Sequence, residues 1–168
     1  MYRVLIFLVI FVFIDTTFFK SLADISFKKS DRIVVLKSKR LMLLMSEGKI
    51  IRAYKIALGK NPVGPKTCAG DKKTPEGVYK IDSKKSDSKF YKALHISYPN
   101  EDDIRRSQKV CSSPGGEVMI HGLPNGKGKI GKLHRTIDWT DGCIAVTNKE
   151  MDEIWDLVPD GTPIEIKP

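Results

Sequence analysis

Only one stretch of this chain carries a sustained helical repeat, and that limits the possible folds more than any other feature. Thr147-Asn148-Lys149-Glu150 fits the S/T-x-x-E capping box, in which side chains and backbone at a helix start satisfy each other's hydrogen bonds. Met151, Ile154, Trp155 and Val158 follow at i, i+3, i+4 and i+7, an apolar stripe for one helix face, and Pro159-Asp160-Gly161 ends the repeat. A second, shorter helix is expected after Asn100, a capping residue followed by Glu101, Asp102 and Asp103, acids that suit the positive end of a helix. The remaining patterned segments read as strands. Residues 32–36 are β-rich, and 40–45 and 49–58 flank Ser46-Glu47-Gly48 as a hairpin. On the second arm, Ile50, Arg52, Tyr54, Ile56 and Leu58 share a face by the strand period of two. Further strands are expected at 77–81, 90–98, 117–121, 143–146 and 162–167, with a polar connection over 82–89. Loops punctuated by Gly and Pro fill 59–75, and a Gly-rich basic connection fills 122–138. The expected fold is mostly β with one or two short helices, a β-sandwich or barrel.

The N-terminus reads as an address rather than as part of that fold. Residues 4–14 are 11 unbroken apolar residues behind Arg3, and Asp15 interrupts them. A bilayer-spanning helix needs about 20 such residues, whereas the apolar core of a secretory signal needs roughly 7–15. Ser21-Leu22-Ala23 supplies small residues for a cut after Ala23. Residues 1–23 are therefore expected to be a signal peptide, or an uncleaved anchor if Phe18-Phe19 prolong the apolar stretch. Residues 24–31 follow as a polar leader and 32–168 as one folded domain. Export to the periplasm or cell envelope is implied, with membrane contact only if the segment is retained.

The net charge of +9 admits an anionic envelope, nucleic acid or a membrane surface as partner. The sequence has no zinc-ligand spacing, no RNA-binding aromatic pattern and no basic helix. Its lysine clusters (Lys28-Lys29, Lys37-Ser38-Lys39-Arg40, Lys84-Lys85) are scattered as on a solvated surface. Neither nucleic acid nor a metal or organic cofactor is expected.

Cys143 has a distinctive setting, where a Gly-bearing turn meets the run Ile144-Ala145-Val146. Successive N–H groups at such a turn can face a developing oxyanion. The thiolate is the nucleophilic form of cysteine and needs a base or a positive neighbour. His121 ends an expected strand and precedes Gly122, but it lies 22 positions away, so only the fold can bring the two together. Taken alone, each also fits a bland role, the Cys as a small core residue and the His as a satisfied hydrogen-bonder.

Three segments in order change that balance. They are Ile56-Ala57-Leu58-Gly59 leading to Gly70-Asp71-Lys72-Lys73-Thr74-Pro75-Glu76-Gly77-Val78-Tyr79, then Met119-Ile120-His121-Gly122, then Thr140-Asp141-Gly142-Cys143-Ile144. Together they resemble the L,D-transpeptidase catalytic domain, also called the YkuD-type domain, and the likeness runs from about Asp31 to Pro168. The resemblance implies a mostly β fold and a Cys–His thiol site. Cys143 matches its nucleophile and His121 its general base, an arrangement that also suits a thiolate–imidazolium pair. Gly122 matches the residue whose carbonyl accepts the other imidazole N–H. The backbone N–H groups of Gly142 and Cys143, with that of Asp141, match the oxyanion hole. The chain departs from the family in carrying Asp141 where His is common and Ala145 where Asn or Arg is common. Its stretch from His121 to Thr140 is also slightly longer than usual. An acid pointing inward at Asp141 would raise the thiol pKa; the alternatives are that Asp141 orients a His or faces solvent.

His134, beside Lys132 and Arg135, either takes the place of the absent His, binding a substrate carboxylate or assisting proton transfer with Arg135 as a second auxiliary or substrate-binding candidate, or is an exposed loop residue. His95 and the turn Thr74-Pro75-Glu76-Gly77 read as structural, and Trp139 either shapes a groove or packs. Three cysteines in an oxidising compartment leave two arrangements compatible with catalysis. Either Cys68 pairs with Cys111 and leaves Cys143 free, or Cys68 and Cys111 are both unpaired; a disulfide to Cys143 would count against the enzyme. The implied activity is transfer of a peptidoglycan stem peptide, through a Cys143 thioester, to an amine on another stem or on an envelope protein. Hydrolysis of the same thioester is the alternative, and a non-catalytic wall-binding module a third.

Overall fold

The computed structural model describes residues 28–168, so the expected signal or anchor at 1–23 lies outside the described residues. The chain forms eight strands: β1 (Arg32–Leu36), β2 (Leu41–Ser46), β3 (Lys49–Lys55), β4 (Gly77–Ser88), β5 (Tyr91–Ile96), β6 (Met119–His121), β7 (Ile144–Ala145) and β8 (Pro163–Lys167). Two helices join them, α1 (Glu101–Ser107) and α2 (Asn148–Leu157). The strands lie in the order β3-β2-β1-β8-β4-β5-β6-β7. The β1–β8 and β6–β7 pairs are parallel and the others antiparallel.

β4 is the hinge of this architecture. Gly77–Lys80 pairs with β8, and from Ile81 onward the strand pairs with β5. A register break between Ile81 and Ser83 marks the changeover, as a bulge does when it bends a strand from one half-sheet to another. The far ends of the sheet then meet. Ala57, just past β3, exchanges both backbone hydrogen bonds with Ala145 of β7 at 2.9 and 3.0 Å. The folded-over sheet thus approaches closure, as expected of a mostly β sandwich or barrel. Its interior is filled by Ile33, Met42, Leu44, Ile81, Leu94 and Ile120, each with no exposed surface. At about 1.5–3 kcal/mol for each large apolar side chain taken out of water, this layer is the main source of stability.

Two local expectations are corrected. The polar stretch over 82–88 belongs to β4, with Ser83, Lys84 and Lys85 paired to His95, Leu94 and Ala93. Its side chains mostly face solvent, so no apolar alternation advertises the strand. On β3, Leu44 pairs with Arg52 and Met45 with Ile50, leaving Ile51 as an extra residue. That bulge turns Ile50 out to 58% exposure and sets Ile51 against the core, reversing the expected phase at this end. The connection over 122–138 also contains 3₁₀ turns at Gly128–Thr136, broken at Gly131.

Both helices begin in reciprocal capping boxes, from Asn100 with Asp103 and from Thr147 with Glu150. Helix α2 buries Met151, Ile154 and Leu157, and its stripe faces the core as expected. Its first turn has a second task. Asn148 Oδ1 accepts the Leu123 N–H at 2.8 Å, and Glu150 pairs with Arg135, so α2 anchors the segment after His121. A disulfide joins Cys68 to Cys111, tying the 59–75 loop to the end of α1 and leaving Cys143 a free thiol. Among the described residues no helix is long and apolar enough to cross a membrane.

Candidate active site

Parallel pairing brings together what the sequence keeps apart. β6 and β7 are neighbours with Ile120 opposite Ile144 and His121 opposite Ala145. Cys143, one residue before β7, therefore lies beside Met119, on the face that also carries His121. Cys143 and His121 line one cleft of about 330 Å³, together with Phe90, Glu117 and Met119.

His121 is held on several sides. Its Nδ1 lies 2.7 Å from Gly122 O. A carbonyl can only accept, so Nδ1 carries the proton and Nε2 keeps its lone pair. The Phe90 ring lies 4.5 Å and the Trp139 ring 5.7 Å from the imidazole, centre to centre. Burial, only partly opposed by the Gly122 carbonyl, pushes the imidazole below its usual range, so it rests neutral. Gly122 has no room for a side chain, because a Cβ there would meet Asn148 Oδ1 at 2.8 Å and Tyr91 Cβ at 3.0 Å.

Burial acts on Cys143 with the opposite charge consequence. It pushes the thiol above its ordinary range; the Met119 N–H opposes this, Asp141 and Glu117 add to it, and Lys66 opposes it. Thiol and imidazole are therefore both neutral at rest. Against the thiolate–imidazolium pair that the sequence left open stands the cost of burial, which both charged forms would bear.

The turn before the thiol is fixed through its side chains. Asp138 accepts the Leu58 N–H at 2.9 Å and takes two hydrogen bonds from Arg40, at 2.7 and 3.1 Å. The Thr140 hydroxyl donates to Cys143 O at 2.8 Å and accepts the Gly142 N–H at 3.1 Å. Gly142 adopts φ +133°, and a Cβ there would fall 2.7 Å from Lys73 O. This corrects the expected oxyanion set. The Gly142 N–H is already engaged, whereas those of Cys143 and Asp141 make no hydrogen bond among the described residues. Asp141 itself faces solvent and pairs with Lys60 at 3.0 Å.

His134 is neither an exposed loop residue nor a group lining the thiol cleft. It is 6% exposed, and its Nδ1 lies 3.5 Å from Trp139 Nε1. Burial, reinforced by Arg135, lowers its pKa to about 4. Arg135 is engaged by the Glu150 carboxylate and so is not free to take a substrate carboxylate. His134 borders an adjoining groove of about 360 Å³ walled by Leu123, Ile137 and Trp139, so Trp139 does shape a groove. His95 lies 2.6 Å from Asp82 Oδ1 on the β4–β5 pair, the structural role expected of it. The Thr74 turn is structural too. Thr74 Oγ1 accepts the Gly59 N–H at 3.1 Å, and Lys37, expected on a solvated surface, is instead buried and binds Thr74 O and Glu76 at 2.8 Å.

Sequence reasoning missed Lys60, Lys66, Phe90 and Glu117. Each is an ordinary residue of a loop or strand end, and no spacing relates it to Cys143 until the sheet folds over. Among the described residues no group of three or more His, Cys, Asp or Glu side chains is placed to hold a metal ion.

Comparison with known proteins bears on this geometry. A family model described as YkuD, L,D-transpeptidase catalytic domain, matches residues 30–166. An Escherichia coli K12 protein provisionally named L,D-transpeptidase YafK is 34% identical over 112 residues, which is 65% of this chain and 37% of that protein. The chain thus spans well under half the length of that relative. Bdellovibrio bacteriovorus Bd1075 superposes with a TM-score of 0.57 at 26% identity, covering 83% of this chain and 48% of the other. The helical cell shape determining protein Pgp2 of Campylobacter jejuni shares the fold, with a TM-score of 0.61 at 24% identity over 87% of this chain and 53% of its own.

Proposed function

The chain belongs to the YkuD family of L,D-transpeptidase catalytic domains, and on that premise we propose that it is an exported peptidoglycan-modifying enzyme that works through a Cys143 thioester. One observation carries the reading: the free thiol and a histidine with its lone pair at Nε2 share one cleft on adjacent parallel strands.

The chemistry follows from the neutral resting pair. When a stem peptide enters and excludes water, His121 Nε2 takes the Cys143 proton as sulfur attacks the carbonyl at the L–D bond. Gly122 O stabilises the resulting imidazolium by accepting the Nδ1 proton. The Cys143 N–H, which has no other partner among the described residues, donates to the developing oxyanion; one such donor is worth about 2.7–4 kcal/mol. The imidazolium then protonates the departing D-residue amine, leaving the acyl group on sulfur. An amine from a second stem, or from an envelope protein, attacks the thioester and regenerates the thiol.

Intact-mass measurement tests this. Incubation with a tetrapeptide stem should add the mass of the acyl fragment to the wild-type chain and nothing to Cys143→Ala. With an added amine acceptor, a joined product marks transfer, and shortened peptide alone marks hydrolysis. An adduct that persists in Cys143→Ala, or no adduct and no product with wild type, would refute the assignment.

A further inference from the structure

The connection between His121 and the Cys143 turn carries a surface that the thiol chemistry does not use. From Gly126 to Ile137 it holds Lys127, Lys129, Lys132 and Arg135 and no acid. Arg135 is engaged by Glu150, whereas the three lysines are exposed and form no ion pair among the described residues. Interleaved with them stand Ile130, Leu133 and Ile137, of which Leu133 is 72% and Ile137 67% exposed. Lys127, Ile130, Leu133 and Ile137 border one groove of about 360 Å³, so charge and apolar surface share a side of the molecule. The segment is tied down in this presentation. His134 is buried against Trp139, and Arg135 holds the loop to helix α2. Within the loop, the Ile130 N–H donates to Lys127 O at 3.0 Å and the Thr136 hydroxyl to Leu133 O at 2.9 Å. The apolar side chains are thus held out in water by an anchored loop, and an apolar patch rimmed by charge marks an interaction surface.

This combination selects its partner. A soluble polyanion would neutralise the lysines but leave Leu133 and Ile137 in water. An apolar protein face would cover those two and strand the ammonium groups. An anionic bilayer offers phosphates at one depth and acyl chains just below, and lysines set beside apolar side chains suit that boundary. We propose that the 126–137 connection docks the folded domain on an anionic phospholipid surface, with the three lysines at the phosphates and Leu133 and Ile137 among the upper acyl chains. The contact belongs to the folded domain, so it is distinct from any that residues 1–23 would make, and it does not depend on the thioester reading. Its consequence is positional. Trp139 walls the same groove and lies 5.7 Å from the His121 ring, so docking holds the thiol cleft beside the membrane.

Tryptophan quenching in the full chain tests the docking. Leu133→Trp places a reporter in the patch, and the chain is titrated with vesicles whose phospholipids carry brominated acyl chains. Subtracting the signal of the unsubstituted chain removes Trp139 and Trp155, so the difference reports this loop whatever residues 1–23 do. Each lysine near an anionic surface tightens contact about fivefold, so vesicles of equal parts phosphatidylglycerol and phosphatidylcholine should be preferred over phosphatidylcholine alone by about 100-fold at low salt. That preference should shrink as salt rises. Lys127→Gln with Lys129→Gln and Lys132→Gln should abolish it. Lys49→Gln with Lys80→Gln and Lys109→Gln removes the same charge at exposed positions on other elements and should largely keep it. Ile137→Ser should weaken contact with the mixed vesicles about tenfold, from the apolar area left in water. A thermal melt checks that each variant folds. Equal quenching by the two vesicles, equal loss in the two lysine variants, or quenching by neither vesicle would overturn the proposal. An Ile137→Ser chain that docks as well as its parent would overturn it too, and would point to a soluble polyanion as the partner.

Discussion

Replacing Gly142 by Ala perturbs the turn that presents the thiol, and the structure separates the penalty into two parts. The first is conformational. At φ +133° a residue with a Cβ is strained by about 1–3 kcal/mol. The second is steric. The new methyl would lie 2.7 Å from Lys73 O, a backbone atom that cannot rotate away. Overpacking of this kind costs about 1–3 kcal/mol. The expected loss is therefore about 2–6 kcal/mol. Two other glycines calibrate the parts. Gly126 has φ +78° with nothing within 4 Å of a built Cβ, so Gly126→Ala should show the conformational part alone, about 1–2 kcal/mol. Gly116 has open space and no positive φ, so Gly116→Ala should be neutral or stabilising by up to about 1 kcal/mol. Urea unfolding followed by tryptophan fluorescence, with the disulfide intact, measures all three. A Gly142→Ala chain as stable as Gly126→Ala would refute the close approach of Gly142 to Lys73. Because relief of the clash must move the Gly142–Cys143 peptide, stem-peptide acylation should fall even in whatever fraction folds.

Two further outcomes follow from the site and its supports. Burial raises the Cys143 pKa and lowers that of His121, so thiolate forms late as pH rises; iodoacetamide alkylation should keep climbing through and beyond the ordinary thiol range near 8.5, and a plateau already reached at pH 5–7 would reveal the ion pair that the structure disfavours. Replacing both Cys68 and Cys111 by Ser should cost about 4 kcal/mol in urea unfolding, from the chain entropy restored across their separation of 43 residues; a loss below about 1 kcal/mol would mean that other contacts already restrain the loop.

The helix at Asn148–Leu157 was legible because its cap and stripe are local, written in residues three and four apart. The hairpin turn, the strand ends at His121 and before Ile144, and the candidacy of Cys143 were legible for the same reason. The 82–88 part of β4 was not, because a strand facing solvent needs only backbone partners and those come from β5. Ile50 and Ile51 exchanged faces because one bulged residue resets the alternation, and a bulge is set by the partner strand. His134 could be read in the sequence only as auxiliary or exposed; burial against Trp139 is a property of the folded connection. The engaged Gly142 N–H likewise depends on which way the Thr140 hydroxyl turns.

By itself the sequence determined the chemistry on offer: one cysteine at a glycine turn, one histidine before a glycine, and strand-rich segments to carry them. Tertiary structure alone decided their protonation and their neighbours. Parallel pairing of β6 with β7 set the histidine and the sulfur on one face, lining one cleft, and burial disfavours the charged form of each. The Cys68–Cys111 disulfide ties together two loops that border a cleft shared by Lys60, Lys66, Lys72 and Asp141. Charge, solvation and proximity depend on distance through space, which residue order along the chain does not encode.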